Sequence, residues 1–167
     1  YDRAISIDPR YADAYIGRGF IRYKLGDRSN AAIDFSTAIT LNPKSARGYN
    51  NRGNLYLEFK DWEYAIADFD RAIEIDANYA DAYIGRGVAK ESWPGAKTQG
   101  MVDLNMAIII DPKSVRAYRS RANARLNIDD SRGAIEDYTK AMNLSPKLAA
   151  DYQGRGVAKS KLKDYPA

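Results

Sequence analysis

The amino-acid sequence predicts an all-α fold: an α-α superhelix, or solenoid, of 34-residue helix-turn-helix repeats. The nonapeptide YADAYIGRG at residues 11–19 recurs letter for letter at residues 79–87, a separation of 68 residues, or two periods of 34. Small and aromatic residues recur at fixed positions in each period, and a residue followed by proline closes most periods. A period of this length is typical of stacked repeats that bury their apolar faces against their neighbours.

The composition excludes several classes of protein. With 45% apolar and 29% charged residues, the chain of 167 residues is typical of a folded protein. It contains no cysteine and no histidine, which excludes disulfides, thiolate and imidazole nucleophiles and most zinc sites. The remaining carboxylates, serines, lysines and tyrosines form no recognisable catalytic constellation. We therefore expect no enzyme, no cofactor and no metal site in these residues.

The charge and the hydropathy indicate little about partner or compartment. The 26 basic and 22 acidic residues give a net charge of +4, which argues against a dedicated nucleic-acid-binding protein. The longest strongly apolar run, residues 106–110, is too short to span a bilayer. The chain starts with Tyr1 and shows no signal-peptide pattern, so we expect a piece of a longer, soluble protein, with the cytoplasm favoured over other compartments.

The period divides the chain into one array of repeats. The complete repeats are residues 12–45, 46–79, 80–114 and 115–148, and positions are counted from the first residue of each. Residues 1–11 are the end of a truncated repeat, and residues 149–167 hold the first helix of another. Because the ends of the array show no polar cap, we expect self-association through these uncapped solenoid ends.

Each repeat alternates large and small residues at positions where helices meet. Tyrosine stands at position four and a small residue at position eight: Tyr15, Tyr49, Tyr83, Tyr118 and Tyr152, and Gly19, Gly53, Gly87, Ala122 and Gly156. In the second half a small residue, an aromatic or leucine, and alanine follow at positions twenty, twenty-four and twenty-seven: Ala31, Ala65, Gly100 and Ala134; Phe35, Phe69, Leu104 and Tyr138; Ala38, Ala72, Ala107 and Ala141. Small residues let two helix backbones approach while the rings fill the flanking space.

The helix boundaries are marked by aspartate and proline. Asp27, Asp61, Asp130 and Asp164 precede second helices and can accept hydrogen bonds from their unpaired backbone N–H groups. Asp8-Pro9, Asn42-Pro43, Asp111-Pro112 and Ser145-Pro146 mark the turns between repeats.

This pattern resembles the tetratricopeptide repeat family, whose bulky fourth, small eighth and twentieth, aromatic twenty-fourth, small twenty-seventh and proline thirty-second residues are matched over nearly the whole chain. The resemblance implies pairs of antiparallel helices without catalytic activity. It also implies a concave groove that is lined by positions two, five, six, nine, twelve and thirteen of each first helix and binds a peptide.

The third repeat departs from the pattern. Trp93-Pro94-Gly95 ends its first helix, and residues 96–99 carry one residue in excess of 34. The segment is either a drifted turn or a contact with a partner through Trp93.

Position seven is arginine in all five units, and an aspartate precedes the aromatic position in each second helix. The residues are Arg18, Arg52, Arg86, Arg121 and Arg155, with Asp34, Asp68, Asp103 and Asp137. We expect a structural ladder of ion pairs in preference to a row of guanidinium groups that binds phosphate or carboxylate ligands.

The resemblance assigns peptide binding to the groove positions, and these alternate between repeats. The predicted groove residues are Ile16, Phe20, Tyr23, Arg47, Asn50, Asn51, Asn54, Leu57, Ile84, Val88, Arg116, Arg119, Asn123 and Leu126. Odd repeats are apolar, with glycine at position six (Gly17, Gly85 and Gly154), and even repeats are rich in amides and arginine. The alternation either shapes the groove, where exposed Ile16, Phe20 and Ile84 would accept apolar side chains, or records duplication of a repeat pair.

The sequence thus predicts a protein-protein interaction scaffold that binds a peptide or partner segment in this groove. The alternative is a helical-repeat RNA-binding module. The carboxylate clamp of some family members is incomplete in this chain: Asn50 and Asn54 lack its lysine, Gly85 replaces the middle asparagine, and Arg116 with Ser120 supplies only part of the last component.

Overall fold

The computed structural model describes residues 1–94, 99–146 and 149–163, with the side chain of Lys163 left out. These residues form helices and turns without a β-strand, which confirms the all-α prediction. The helices are α1 (Asp2–Ile7), α2 (Ala12–Lys24), α3 (Arg28–Leu41), α4 (Ala46–Phe59), α5 (Trp62–Ile75), α6 (Ala80–Ser92), α7 (Met101–Ile110), α8 (Val115–Asn127), α9 (Ser131–Leu144) and α10 (Ala149–Lys163). The chain forms two compact units, an N-terminal unit (residues 1–85) and a C-terminal unit (residues 86–167), with the border inside α6.

The two units have cores of the same design. In the N-terminal unit, Phe35 of α3 packs with Ala31 and with Leu55 of the next first helix, α4. In the C-terminal unit, Tyr138 of α9 packs with Ala134, Ala122 and Ala158, and Ala158 lies at the position equivalent to Leu55. The aromatic position therefore joins its own repeat to the next one.

Helix N-termini are capped by more residue types than the sequence pattern indicates. Asp27 and Asp130 accept backbone hydrogen bonds from Asn30 and Gly133 at 3.3 and 2.9 Å, as predicted. The side chain of Asp61 makes no capping hydrogen bond, so that prediction is wrong in detail. Two caps come from serines that follow the proline turns: Ser45 and Ser114 accept from Gly48 and Ala117, both at 3.2 Å. Asp164 lies outside the described residues.

The turn inside each repeat explains part of the irregular third repeat. Position fifteen has a positive φ at Gly26 (84°), Lys60 (63°) and Asp129 (60°). The third repeat has Pro94 at this position, and proline is fixed near a φ of about −65°. This repeat therefore cannot make the turn that the other three use. Trp93, which follows α6, is 41% exposed. Residues 96–98 of the one-residue excess lie outside the described residues.

Candidate peptide-binding groove

The arginine at position seven forms a two-point ion pair with the aspartate of its own repeat. Nε and one terminal nitrogen contact the two carboxylate oxygens at 3.0 and 2.7 Å in Arg18–Asp34 and at 2.8 and 2.8 Å in Arg52–Asp68. The distances are 3.0 and 2.5 Å in Arg86–Asp103, and 2.8 and 2.7 Å in Arg121–Asp137. All four aspartates are buried.

The same arginines also reach the preceding repeat. The remaining terminal nitrogen donates to Asp2 (2.7 Å) from Arg18, to Ser36 (3.3 Å) from Arg52, to Asn105 (2.8 Å) from Arg121 and to Thr139 (3.4 Å) from Arg155. The hydrogen bonds that the Arg18 guanidinium donates to Asp34 and Asp2 raise its pKa above the usual range. The first four guanidinium groups are thus occupied by internal carboxylates, which leaves them poorly placed to bind a ligand.

The glycine at position six of each odd unit lies beneath an aromatic ring from the preceding second helix. A Cβ atom on Gly17, Gly85 or Gly154 would collide with the ring of Tyr1, Phe69 or Tyr138, respectively. These three glycines therefore do not open the groove to apolar ligand side chains. The alternation at position six has a packing cause.

Position five lies inside the array. Ile16 and Ile84 are 2% and 0% exposed, so the expectation that they face an open groove is wrong. Asn50 at the same position is 4% exposed. Arg119, also at position five, donates to both oxygens of Asp151 on the following first helix at 2.5 and 3.0 Å. In the four complete repeats, the residue at position five is therefore buried or paired and is unavailable as a groove contact.

Three of the predicted groove residues in the N-terminal unit, Phe20, Tyr23 and Arg47, keep access to solvent. Phe20 is 44% exposed, and the Lys24 ammonium lies 5.3 Å from its ring centroid. The half-buried Tyr23 donates its hydroxyl proton to Glu58. Arg47 is exposed and forms an ion pair with Asp13 at 2.7 Å.

The amides and the leucine of α4 are half-buried. The residues are Asn51, Asn54 and Leu57. Asn54 Nδ2 donates to the backbone oxygen of Asn50 at 2.9 Å.

In the C-terminal unit, α6 and α8 enclose a cavity of about 380 Å³, here called the α6–α8 pocket. Its lining comprises Val88, Glu91, Ser92, Leu104, Arg116, Ser120, Asn123, Ala124 and Asn127. Three predicted groove residues meet there: Val88, Arg116 and Asn123. Glu91, Ser92 and Asn127 were absent from the prediction although they stand at positions twelve and thirteen, so the position rule could have found them. Leu126 packs against the core cluster of Tyr138 instead.

Hydrogen bonds hold the polar groups of the α6–α8 pocket in place. Glu91 Oε1 accepts from the backbone N–H of Gly100 at 3.0 Å. Asn123 Oδ1 accepts from the Tyr138 hydroxyl at 2.5 Å, so its amide nitrogen is the group left to donate. Burial raises the pKa of Tyr138, so this hydroxyl stays protonated at neutral pH. The pocket thus offers amide, hydroxyl and charged groups around the half-buried Val88.

The described residues were also searched for a metal site and for a membrane-spanning helix. No group of three or more acidic side chains there is arranged to hold a metal ion. None of the helices described is long and apolar enough to cross a membrane.

Comparisons with known proteins agree on the fold. Residues 12–45 and 46–79 each match the tetratricopeptide repeat, and no curated protein matches the chain. The crystal structure of MamA is 24% identical over 88% of this chain and 85% of its own, with a TM-score of 0.71. TTC0263, a tetratricopeptide repeat protein of Thermus thermophilus, is 20% identical over 96% and 86%, with a TM-score of 0.80.

A third structure carries a ligand. The first tetratricopeptide repeat domain of Spaghetti (RPAP3), bound to an HSP90 peptide, is 19% identical over 71% of this chain and 93% of its own, with a TM-score of 0.66. Two consecutive matches identify residues 12–79 as tetratricopeptide repeats, and together with the 34-residue period they support a tetratricopeptide repeat protein.

Proposed function

We propose that the chain binds an extended peptide segment of a partner protein in the α6–α8 pocket. As a tetratricopeptide repeat protein it is a protein-interaction scaffold, and the proposal concerns the surface that it uses. The observation that carries the proposal is the lining of this pocket, in which Asn123, Asn127 and Ser120 of α8 meet Val88 of α6.

This lining suits a main chain better than a small metabolite. Side-chain amides and hydroxyls can pair with the N–H and C=O groups of an extended peptide, while apolar lining residues accept alternate side chains. The volume of about 380 Å³ lies near the lower end of the range for ligand sites, which suits a short peptide stretch. A structure of the same fold holds an HSP90 peptide. In this chain Arg119, which stands at a groove position of the fourth repeat, is committed to Asp151, so we expect contacts other than a carboxylate clamp.

A peptide library, followed by binding to a variant whose pocket is blocked, tests the proposal. A pool of random decapeptides is incubated with the chain and the retained sequences are identified; the tightest binder is then measured by calorimetry. Ser120→Tyr places a ring in the pocket and should weaken binding at least tenfold, because the peptide and the ring compete for one space. Lys140→Tyr adds the same ring at an exposed position of α9 and should leave binding unchanged. Equal binding by both variants, or no retained peptide, would overturn the proposal.

RNA binding, the alternative from the sequence, has less support. The most regular row of cations in the chain is the arginine at position seven, and Arg18, Arg52, Arg86 and Arg121 are paired with buried aspartates. Titration with a single-stranded oligonucleotide checks this point. We expect no binding at about 150 mM salt, since a nucleic-acid-binding protein needs cations that are available to phosphates.

A further inference from the structure

We infer that the α6–α8 pocket selects a peptide with a lysine or arginine side chain whose cationic end binds the Glu91 carboxylate. This inference rests on the proposed function and adds the chemistry of the recognised residue.

In the described part of the chain, one oxygen of the Glu91 carboxylate accepts a hydrogen bond and the other does not. Its Oε1 is held by the backbone N–H of Gly100 at 3.0 Å. Its Oε2 is buried and has no hydrogen-bond partner among the residues that the structure describes. Gly100 can provide this hydrogen bond because it lies against the backbone of Gly87, where a Cβ atom would collide with the Gly87 carbonyl oxygen. A close helix–helix contact therefore determines the position of the carboxylate.

A buried carboxylate oxygen without a donor is unfavourable. It loses its hydrogen bonds to water on burial and gains none in return. A ligand that brings an ammonium or guanidinium group supplies both the missing hydrogen bond and the opposite charge. Charge-assisted hydrogen bonds of this kind are about twice as strong as those between neutral groups. The free energy gained at Oε2 thus favours a cationic ligand over a neutral one.

The pocket also suits the methylene stem of such a side chain. Val88 precedes Glu91 by one helical turn on α6 and is the half-buried apolar residue of the lining, whereas Leu104 and Ala124 are 0% and 2% exposed. Lysine and arginine place their stems along apolar surface and direct the charged end toward a polar group. A neutral apolar residue of equal length would gain the same contact with Val88 but leave Oε2 unpaired. Val88 and the carboxylate together define the specificity.

The direct test uses a lysine side chain without its main chain. n-Butylammonium is titrated into the ¹⁵N-labelled chain, and n-butanol serves as the uncharged analogue of similar length. We expect saturable shifts of the amide signals of Val88, Ser92, Gly100 and Asn127 with butylammonium, and an affinity at least tenfold lower with butanol. Glu91→Gln keeps an oxygen for the Gly100 N–H but removes the charge, so it should abolish this preference. Glu136→Gln, on the exposed side of α9, should retain it. Shifts elsewhere, or an equal response of the Glu91→Gln variant, would overturn the inference.

The peptide library separates the failure of this inference from the failure of the proposed function. Retained peptides enriched at least fivefold in lysine or arginine at one position, with the enrichment lost in Glu91→Gln, would support both. Retained peptides without a basic preference would leave the pocket a peptide site and refute the role of Glu91. If no peptide is retained the proposed function fails, and the butylammonium titration still decides whether Glu91 binds a cation.

Discussion

The ring of Phe69 in α5 occupies the space where a side chain on Gly85 of α6 would begin. The same ring lies against Gly53 of its own repeat, where a Cβ atom would be 3.0 Å from Cε1. Phe35, one repeat earlier, presses on Gly19 of its own repeat, and the next first helix has Asn51 at position six. The ring of an even repeat thus requires glycine in the odd repeat that follows. Packing between two consecutive repeats gives a physical reason for the two-repeat period of the sequence.

Gly85→Ala is expected to destabilise the fold. The methyl group must displace the ring of Phe69 from a packed core, which costs about 1–3 kcal/mol and outweighs a helix-propensity gain of about 1 kcal/mol. The measurement is the free energy of unfolding from urea denaturation followed by circular dichroism. Gly156→Ala in α10 is the matched control, because no atom lies within 4 Å of the added Cβ. This variant should be more stable than the wild type by up to about 1 kcal/mol. If both alanines stabilise equally, the ring does not constrain Gly85.

The helices, and the small and aromatic positions at which they pack together, could be predicted from the sequence. A 34-residue period with large and small residues at fixed positions specifies which helix faces meet, and Phe35, Phe69 and Ala72 are buried as that pattern requires. The candidate site was predicted less well, because a groove position indicates a helix face without indicating how far the next helix covers it. Ile16 and Ile84 are buried for this reason, and Arg119 is paired with Asp151. No pattern within a single repeat could reveal this pair, since its partners belong to different repeats.

Ser45→Ala is expected to cost more stability than Asp61→Ala, although aspartate is the more obvious cap in the sequence. Ser45 Oγ accepts a hydrogen bond from Gly48 N–H at the start of α4, and its loss should cost about 1 kcal/mol. The Asp61 side chain makes no such bond at the start of α5, so Asp61→Ala should change stability by less than roughly half of that amount. Urea denaturation of both variants gives the comparison. A larger effect at Asp61 would mean that its carboxylate caps α5 in solution.

Glu58→Gln is expected to make the fold less sensitive to acid. The hydrogen bond from the Tyr23 hydroxyl, followed by that from Arg28, holds the pKa of Glu58 below its ordinary value of 4.5. A lowered pKa means that the charged form stabilises the fold: the contribution is complete above pH 4.5 and is lost as the pH falls through the folded-state pKa. The difference in urea midpoint between pH 7 and pH 3 should therefore be smaller in Glu58→Gln than in the wild type. Glu136→Gln on the exposed side of α9 should keep the wild-type difference, and an equal reduction in both would contradict the prediction.

Arg119→Met is expected to be the most destabilising of these changes. Asp151 is 0% exposed, and Arg119 supplies both hydrogen bonds to its carboxylate. Without the arginine, an unpaired charge remains buried between α8 and α10, which costs roughly 3 kcal/mol. Arg119→Met combined with Asp151→Leu removes that charge and should recover most of the lost stability, because the space is then filled by apolar groups. Unfolding free energies at pH 7 for the wild type, both single variants and the double variant measure the coupling between the two side chains. If Arg119→Met is as stable as the wild type, the ion pair between Arg119 and Asp151 does not stabilise the fold and the prediction is wrong.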